Sequence, residues 1–326
     1  MAQVFSTHPL HPDVTARLRA ASDYLVASSP SAAAIMAEGT GADVLIVRAP
    51  IPPEYFSQAK GLRAAVRHGA GLDMIPVEAA TAAGVLVANV PGANAATVAE
   101  HAFFAATALL RQFRRVDRDL RQQGWNAGRA HADHGRELGG RTLGILGFGA
   151  IGRALYQIAT GFGMQVIACT PRPATLPADI IAVDLDTLAA RSDILVLCCP
   201  LTPATRGALS ATRIRSMRPG AILINVARGP VIDTPALIAA LQSGDLGGAA
   251  LDVFDTQPLP PDDPLYALDN VILTPHMAGV TEDSMLRMGQ IATDEALRIL
   301  NGDLPVNFCN PEVTPAYRAR FPDKRS

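Results

Sequence analysis

Thr142-Leu143-Gly144-Ile145-Leu146-Gly147-Phe148-Gly149-Ala150-Ile151-Gly152 is the stretch that decides the fold. It reads as a short apolar strand running into Gly147-x-Gly149-x-x-Gly152, and the helical pattern Arg153–Phe162 follows it. A glycine at 147 permits a tight turn. One at 149 lets a pyrophosphate approach the backbone, and one at 152 lets the helix pack close to the strand. The helix N-terminus offers N–H groups and the positive end of a dipole to phosphates. Gly147, Gly149, Ala150, Ile151 and Gly152 are therefore the expected dinucleotide-binding turn. A glycine-rich structural turn is the plainer alternative.

Outward from this turn, the chain alternates strand and helix on both sides. Toward the N-terminus, strands are expected at Gln3–Phe5, Val44–Val47, Arg63–Val66 and Val85–Ala88. Helical patterns lie at Val14–Ala20, Ala32–Glu38 and Val77–Ala82. Such alternation predicts a small parallel sheet with helices on both faces. Pro91-Gly92 closes this unit, and one long helix is expected from about Ala95 to Gln123. After a break at Gly124 to Gly140, strands are expected at Leu143–Leu146, Val166–Cys169, Ile194–Cys198, Ile222–Asn225, Ala249–Leu251 and Val271–Leu273. Six strands is the count of a doubly wound dinucleotide fold. Helices are expected at Asp233–Gln242 and Glu282–Leu300. The predicted class is α/β, with two doubly wound parallel-sheet domains. A Rossmann-type cofactor domain over 95–291 is inserted in a flavodoxin-like substrate domain made of 1–94 and 292–326. The basic terminus Pro322–Ser326 is expected to be disordered.

Composition narrows the function classes. The 326 residues are 49% hydrophobic and carry a net charge of −2. That length suits two domains of ~150 residues each. The near-neutral charge gives no basic face for nucleic acid, and the run Arg111–Arg121 reads as the solvated side of a helix. No apolar stretch reaches the ~18 residues of a membrane span, and the N-terminus carries no secretory signal pattern. Cys169, Cys198, Cys199 and Cys309 read as small core residues of a protein in the reduced cytoplasm. No CxxC pair occurs, and His131-x-x-His134 lies in a polar segment that reads as a surface loop, so no metal is expected.

Hydride transfer to a keto acid needs a cation for the carboxylate and carbonyl, a proton donor near neutral pKa, and donors that orient the acid. Ligands of open α/β sheets bind at the C-terminal ends of strands, and one candidate for each role lies there. Arg228, in Asn225-Val226-Ala227-Arg228-Gly229, has the planar fork that suits a carboxylate; a structural salt bridge is the alternative. His276, in Thr274-Pro275-His276-Met277-Ala278-Gly279, is the acid–base candidate, against a structural histidine. Arg67-His68-Gly69-Ala70-Gly71-Leu72-Asp73 has the glycines of a carboxylate-binding loop, against a plain turn.

Together with Asn94-Ala95-Ala96-Thr97-Val98-Ala99-Glu100-His101 and Leu251-Asp252-Val253-Phe254, these segments resemble the D-isomer-specific 2-hydroxyacid dehydrogenases. That family includes phosphoglycerate, glyoxylate and hydroxypyruvate reductases. The resemblance runs over roughly residues 40–300 and in the same order. It implies two doubly wound domains with a cleft between them, and a homodimer. It implies that Arg228 binds the substrate carboxylate and carbonyl and that His276 donates the proton. Ala70 and Gly71 would offer N–H groups to the carboxylate, and Asn94 would line the cleft. Asp252 would hold the nicotinamide carboxamide, and Pro200, Thr205, Ala227 and Gly279 would complete the cofactor site.

Two departures from the family pattern carry information. The glutamate that pairs with the histidine in the family is replaced by Gln257, in Asp255-Thr256-Gln257-Pro258. A neutral amide can orient an imidazole but cannot raise its pKa as an anion does. Asp255, two residues upstream, is a candidate to replace the missing anion. Formate dehydrogenases of the same superfamily carry glutamine there and need no proton relay. The second departure lies at the end of the second cofactor-domain strand, about 20 residues past the glycines, where an acid normally holds the ribose. Thr170 stands there, 18 residues after Gly152, in Cys169-Thr170-Pro171-Arg172. Thr170 and Arg172 are expected to bind a 2′-phosphate, as in family members that use NADPH; an exposed loop arginine is the alternative. The expectation is an NADP-preferring reductase, with NAD possible, acting on a small 2-keto or 2-hydroxy acid. Formate-dehydrogenase-like hydride transfer and a non-catalytic dinucleotide sensor are the alternatives. His68 and Arg48 are candidates to read a second anionic group on the substrate.

Overall fold

A computed structural model describes residues 1–322. The expected disorder at the C-terminus falls mainly on residues 323–326, which lie outside the described residues. The chain divides into two units, one made of Met1–Asn94 and the chain from Val280 onward, the other of Ala95–Gly279. The return crossing therefore comes earlier than the expected 291/292 boundary. The reason is the helix Glu282–Leu300. Its buried Met288, Ala292, Ala296 and Ile299 share one core with Val4, Val44, Ile46 and Ala64. An amphipathic helix belongs to the core that its apolar stripe covers.

The first unit holds strands β1 (Gln3–Ser6), β2 (Asp23–Val26), β3 (Val44–Val47), β4 (Ala64–Arg67) and β5 (Leu86–Ala88). They pair in parallel in the order β2-β1-β3-β4-β5, the flavodoxin-like arrangement. β2 is absent from the sequence expectation. It is a four-residue edge strand with only Tyr24 buried, too short to show alternation.

The second unit holds β6 (Thr142–Leu146), β7 (Gln165–Cys169), β8 (Ile181–Ala182), β9 (Ile194–Leu197), β10 (Ala221–Asn225), β11 (Leu246–Leu251) and β12 (Val271–Leu273). All seven are parallel, in the order β12-β11-β10-β9-β6-β7-β8. β8, with two residues, is one strand more than expected. β6, β9 and β10 are buried along their whole length, as parallel strands covered on both faces must be. One face packs Leu195, Leu197, Leu223 and Leu251, and the other packs Ile145, Val196, Ile224 and Ala250. The strand order reverses between β6 and β9, so the glycine turn after β6 sits at the switch point where such sheets bind ligands.

The single helix expected over 95–123 is two helices, Ala95–Leu110 and Phe113–Gln123. Between them Gln112 takes a left-handed conformation, φ 50°, which ends the first helix. On the second helix Arg121 pairs with Asp117, and Arg118 pairs with Asp119 and Asp269. Among the described residues no helix is long and apolar enough to cross a membrane.

Candidate active site

The glycine turn has the geometry that its sequence requires. Gly147 has φ 94°, and a Cβ there would lie 2.8 Å from the Cys199 Cα. A Cβ on Gly152 would lie 2.7 Å from the Gly147 carbonyl oxygen, so only glycine allows this helix–strand approach. At Gly149 a Cβ would meet nothing within 4 Å. That side of the turn is open space, as an approaching pyrophosphate needs. The helix Ala150–Gly161 starts there, with Gly149 as N-cap and no side chain capping it. Ala150, Ile151 and Gly152 thus present the first turn of a helix N-terminus. Cys198 donates its thiol to the Gly147 carbonyl at 3.0 Å. Burial pushes the thiols of Cys198 and Cys199 up, that of Cys199 to about 11, so both remain protonated core groups.

At the end of β7, the Arg172 N–H donates to the Thr170 hydroxyl at 3.3 Å, and the Thr175 hydroxyl donates to the Arg172 carbonyl at 2.8 Å. This closes residues 170–175 into a compact turn with the Arg172 side chain exposed. After β9, the Thr205 hydroxyl donates to the Pro200 carbonyl at 2.7 Å and so shapes the 200–205 loop.

Arg228, Asp252 and His276 follow three adjacent strands, β10, β11 and β12, at their C-terminal ends. Asn225 fixes the first of these loops, with its Nδ2 donating to the Arg228 carbonyl and its Oδ1 accepting from the Ala227 N–H, both at 3.0 Å. Arg228 itself donates from Nη1 to the Ala227 carbonyl at 2.6 Å. His276 is exposed, and its Nδ1 lies 3.0 Å from Gln257 Oε1. Gln257 Nε2 donates to the Phe254 carbonyl at 3.3 Å. Asp255 does not replace the missing anion: its Oδ2 accepts the Thr234 hydroxyl at 2.7 Å, which ties the carboxylate to Thr234.

Asp252 is buried, and its carboxylate accepts the Thr274 hydroxyl at 2.6 Å and the N–H groups of Met277 and Ala278 at 2.8 and 2.9 Å. Gly279 ends the loop that these bonds hold. Thr274 and Asn225 stand in the sequence only as letters of the His276 and Arg228 motifs. Their side chains are what secure the loops of His276 and Arg228.

The loop read as carboxylate-binding, 67–73, follows β4 in the first unit. The Arg67 guanidinium donates to the carbonyls of Val47 and His68 at 2.9 Å and of Gly71 at 3.1 Å. Asn89 donates to the Ala70 carbonyl at 2.7 Å. Ala70 is exposed, while Gly71 and Asn94 are half-buried. His68 is 3% exposed. Burial, with Arg48 and Arg67 adding to it, pushes its pKa down to about 4. His68 is therefore neutral at pH 7 and brings no charge to an anion. Arg48 keeps its charge and donates from Nη1 to the Pro9 carbonyl at 2.6 Å. His131 bonds Asp119 at 2.7 Å. Among the described residues no three histidine, cysteine or acidic side chains cluster in a way that could hold a metal.

A doubly wound sheet with this turn, and with Arg228 and His276 at the C-terminal ends of the two strands that flank β11, defines a nicotinamide-dinucleotide oxidoreductase. Residues 103–278 match the family model for the D-isomer specific 2-hydroxyacid dehydrogenase NAD binding domain. The chain is 36% identical to the D-3-phosphoglycerate dehydrogenase of Methanocaldococcus jannaschii over 97% of its own length and 60% of that enzyme's. It is 36% identical to the glyoxylate reductase of Korarchaeum cryptofilum, over 83% of this chain and 82% of that one. The crystal structure of the NADPH-dependent glyoxylate/hydroxypyruvate reductase of Sinorhizobium meliloti superposes with a TM-score of 0.85 at 27% identity, over 95% of this chain and 98% of that one. The chain belongs to the D-isomer-specific 2-hydroxyacid dehydrogenase family. Its chemistry is hydride transfer between a nicotinamide dinucleotide and a 2-keto or 2-hydroxy acid.

Proposed function

We propose that the chain reduces small 2-keto acids to D-2-hydroxy acids and prefers NADPH. The bound dinucleotide supplies the hydride. Arg228 holds the substrate carboxylate and polarises the carbonyl, which a planar guanidinium does well. Ala70 and Gly71 offer N–H groups to the same carboxylate, and Asn94 lines the substrate side. His276 Nε2 gives a proton to the carbonyl oxygen while Gln257 holds Nδ1. Gly147, Gly149, Ala150, Ile151 and Gly152 take the pyrophosphate, with Pro200, Thr205, Ala227, Asp252 and Gly279 around the dinucleotide. The preference for NADPH rests on Thr170 and Arg172.

The observation that carries the reading is the bonded pair His276–Gln257, at 3.0 Å, with His276 two strands along from Arg228 in a sheet of this family. Turnover assays with glyoxylate, hydroxypyruvate and larger 2-keto acids test it. Turnover of formate, with none of keto acids, would assign the glutamine-bearing site to formate oxidation instead. Dinucleotide binding without any turnover would make the chain a sensor.

We also read the protein as a cytoplasmic homodimer. Phe104, Phe113, Leu120 and Trp125, on the successive helices Ala95–Leu110, Phe113–Gln123 and Trp125–Arg129, are large apolar side chains exposed to solvent, the kind of residue that a subunit contact covers. Light scattering of the wild type and of Trp125→Glu tests the dimer. The four free cysteines suit a reducing compartment.

A further inference from the structure

We propose that Thr274 and Asp252, backed by His101, form a positioning network that holds His276 ready for proton transfer. The proposal rests on the reading of His276 as the proton donor.

The donors on both sides of His276 end on one residue. The Thr274 hydroxyl and the Met277 N–H reach Asp252 Oδ1 at 2.6 and 2.8 Å. The Ala278 N–H reaches Oδ2 at 2.9 Å, and the His276 N–H reaches the Asp252 backbone carbonyl at 2.8 Å. These bonds surround a strained residue. His276 has φ 55°, a left-handed conformation that a residue with a Cβ keeps only where its surroundings hold it. Bonds from a carboxylate to three donors are charge-assisted, and Asp252 is only 3% exposed, so water does not weaken them.

The network extends one residue further. The Thr274 hydroxyl has one proton, and its 2.6 Å bond gives that proton to Asp252. Its 3.4 Å contact with His101 Nε2 must therefore be filled by the proton on Nε2. The chain of donors runs from His101, on the helix Ala95–Leu110, through Thr274 to Asp252. It ties the histidine loop to a helix of the same unit. Oδ2 accepts only one of these bonds, which leaves it able to accept a carboxamide N–H as well. The two roles of Asp252 are therefore separable by experiment.

Thr274→Val keeps the shape and removes the donor, and Thr274→Ser restores it. In the full-length protein at saturating NADPH, Thr274→Val is expected to lower kcat for keto-acid reduction about tenfold, with KM within about twofold. NADPH affinity, read by cofactor fluorescence without keto acid, stays within about twofold, and Thr274→Ser recovers most of kcat. His101→Leu gives a smaller loss, about threefold, in the same parameter. Imidazole nitrogen resonances, assigned with His276→Ala, provide a readout that needs no substrate. The wild type is expected to show His276 as a single Nδ1–H tautomer, Thr274→Val a mixture, and Thr274→Ser the single form again. An unchanged kcat and tautomer in Thr274→Val overturns the proposal. So does a rise in the NADPH dissociation constant with kcat held, which would leave Asp252 serving the cofactor alone. An unchanged His101→Leu removes His101 from the network. If the wild type reduces no keto acid, the functional reading fails, while the tautomer comparison still decides the network.

Discussion

His276 meets Gln257 through a contact of fixed polarity. Gln257 Nε2 is engaged by the Phe254 carbonyl, so Oε1 is the atom that faces His276 Nδ1. Oε1 can only accept, so Nδ1 carries the proton in the neutral ring. Nε2 then lacks a proton and can accept when the ring is neutral, and it can donate when the ring is charged. That is the division of labour a reversible dehydrogenase needs. The amide orients the ring in both states but gives the charged one no anionic partner.

Gln257→Glu places an anion at the same position, and a nearby opposite charge favours the charged ring. Keto-acid reduction needs that charged ring. Its decline with rising pH should therefore move to higher pH, by about one unit or more. The measurement is kcat/KM against pH for both proteins, with a substrate deuterium isotope effect to show that chemistry limits the rate. Superimposable profiles would remove Gln257 from the proton path.

Arg228→Ala removes the charged partner of the carboxylate and the polariser of the carbonyl together. The expected loss is ~3 kcal/mol or more of transition-state stabilisation, over a hundredfold in kcat/KM. Dinucleotide affinity measured without keto acid should change little. Near-normal kcat/KM in this variant would sink the assignment of Arg228.

Features set by backbone requirements were legible in the sequence, and features set by side-chain pairing at a distance were not. Gly147 and Gly152 announce themselves because no other residue fits at φ 94° or 2.7 Å from a carbonyl. Arg228 and His276 were legible as candidates because each follows an apolar strand that can be read from the sequence. β2 and β8 were not, since an edge strand of four or two residues has no period to read. The helix break at Gln112 carries neither glycine nor proline. The bond from Asp255 to Thr234 spans 21 residues, and the bonds from Asp252 to its loop span 22 to 26. No local pattern reveals such pairings. The unit boundary was misplaced because the sequence shows that Glu282–Leu300 is a helix but not which core it covers.

His68 predicts an acid-sensitive first unit. Its pKa is about 4 in the folded chain against 6.5 for the free side chain. Between those values the unfolded chain binds a proton that the folded chain does not, so stability falls as pH falls. The contribution is complete above pH 6.5 and is lost toward pH 4. Urea unfolding of wild type and His68→Leu isolates it. The wild type should lose roughly 2 kcal/mol more than the variant between pH 7.5 and 4.5. Equal losses would show that His68 is not held neutral.

Cofactor choice is the most direct test of the β7 turn. Thr170 stands where a ribose-binding acid is expected, and the turn that its hydroxyl closes leaves the Arg172 side chain exposed. An arginine–phosphate contact is charge-assisted and often bidentate. NADPH should therefore have the lower KM. Arg172→Ala should weaken NADPH by ~2 kcal/mol, about thirtyfold, and NADH far less. Thr170→Asp should tilt the preference toward NADH, because its carboxylate repels a 2′-phosphate and can accept from a free 2′-hydroxyl. The measurement is kcat/KM for both cofactors in the wild type and both variants. A wild type that prefers NADH, with Arg172→Ala changing neither cofactor, would show that this turn does not read the phosphate.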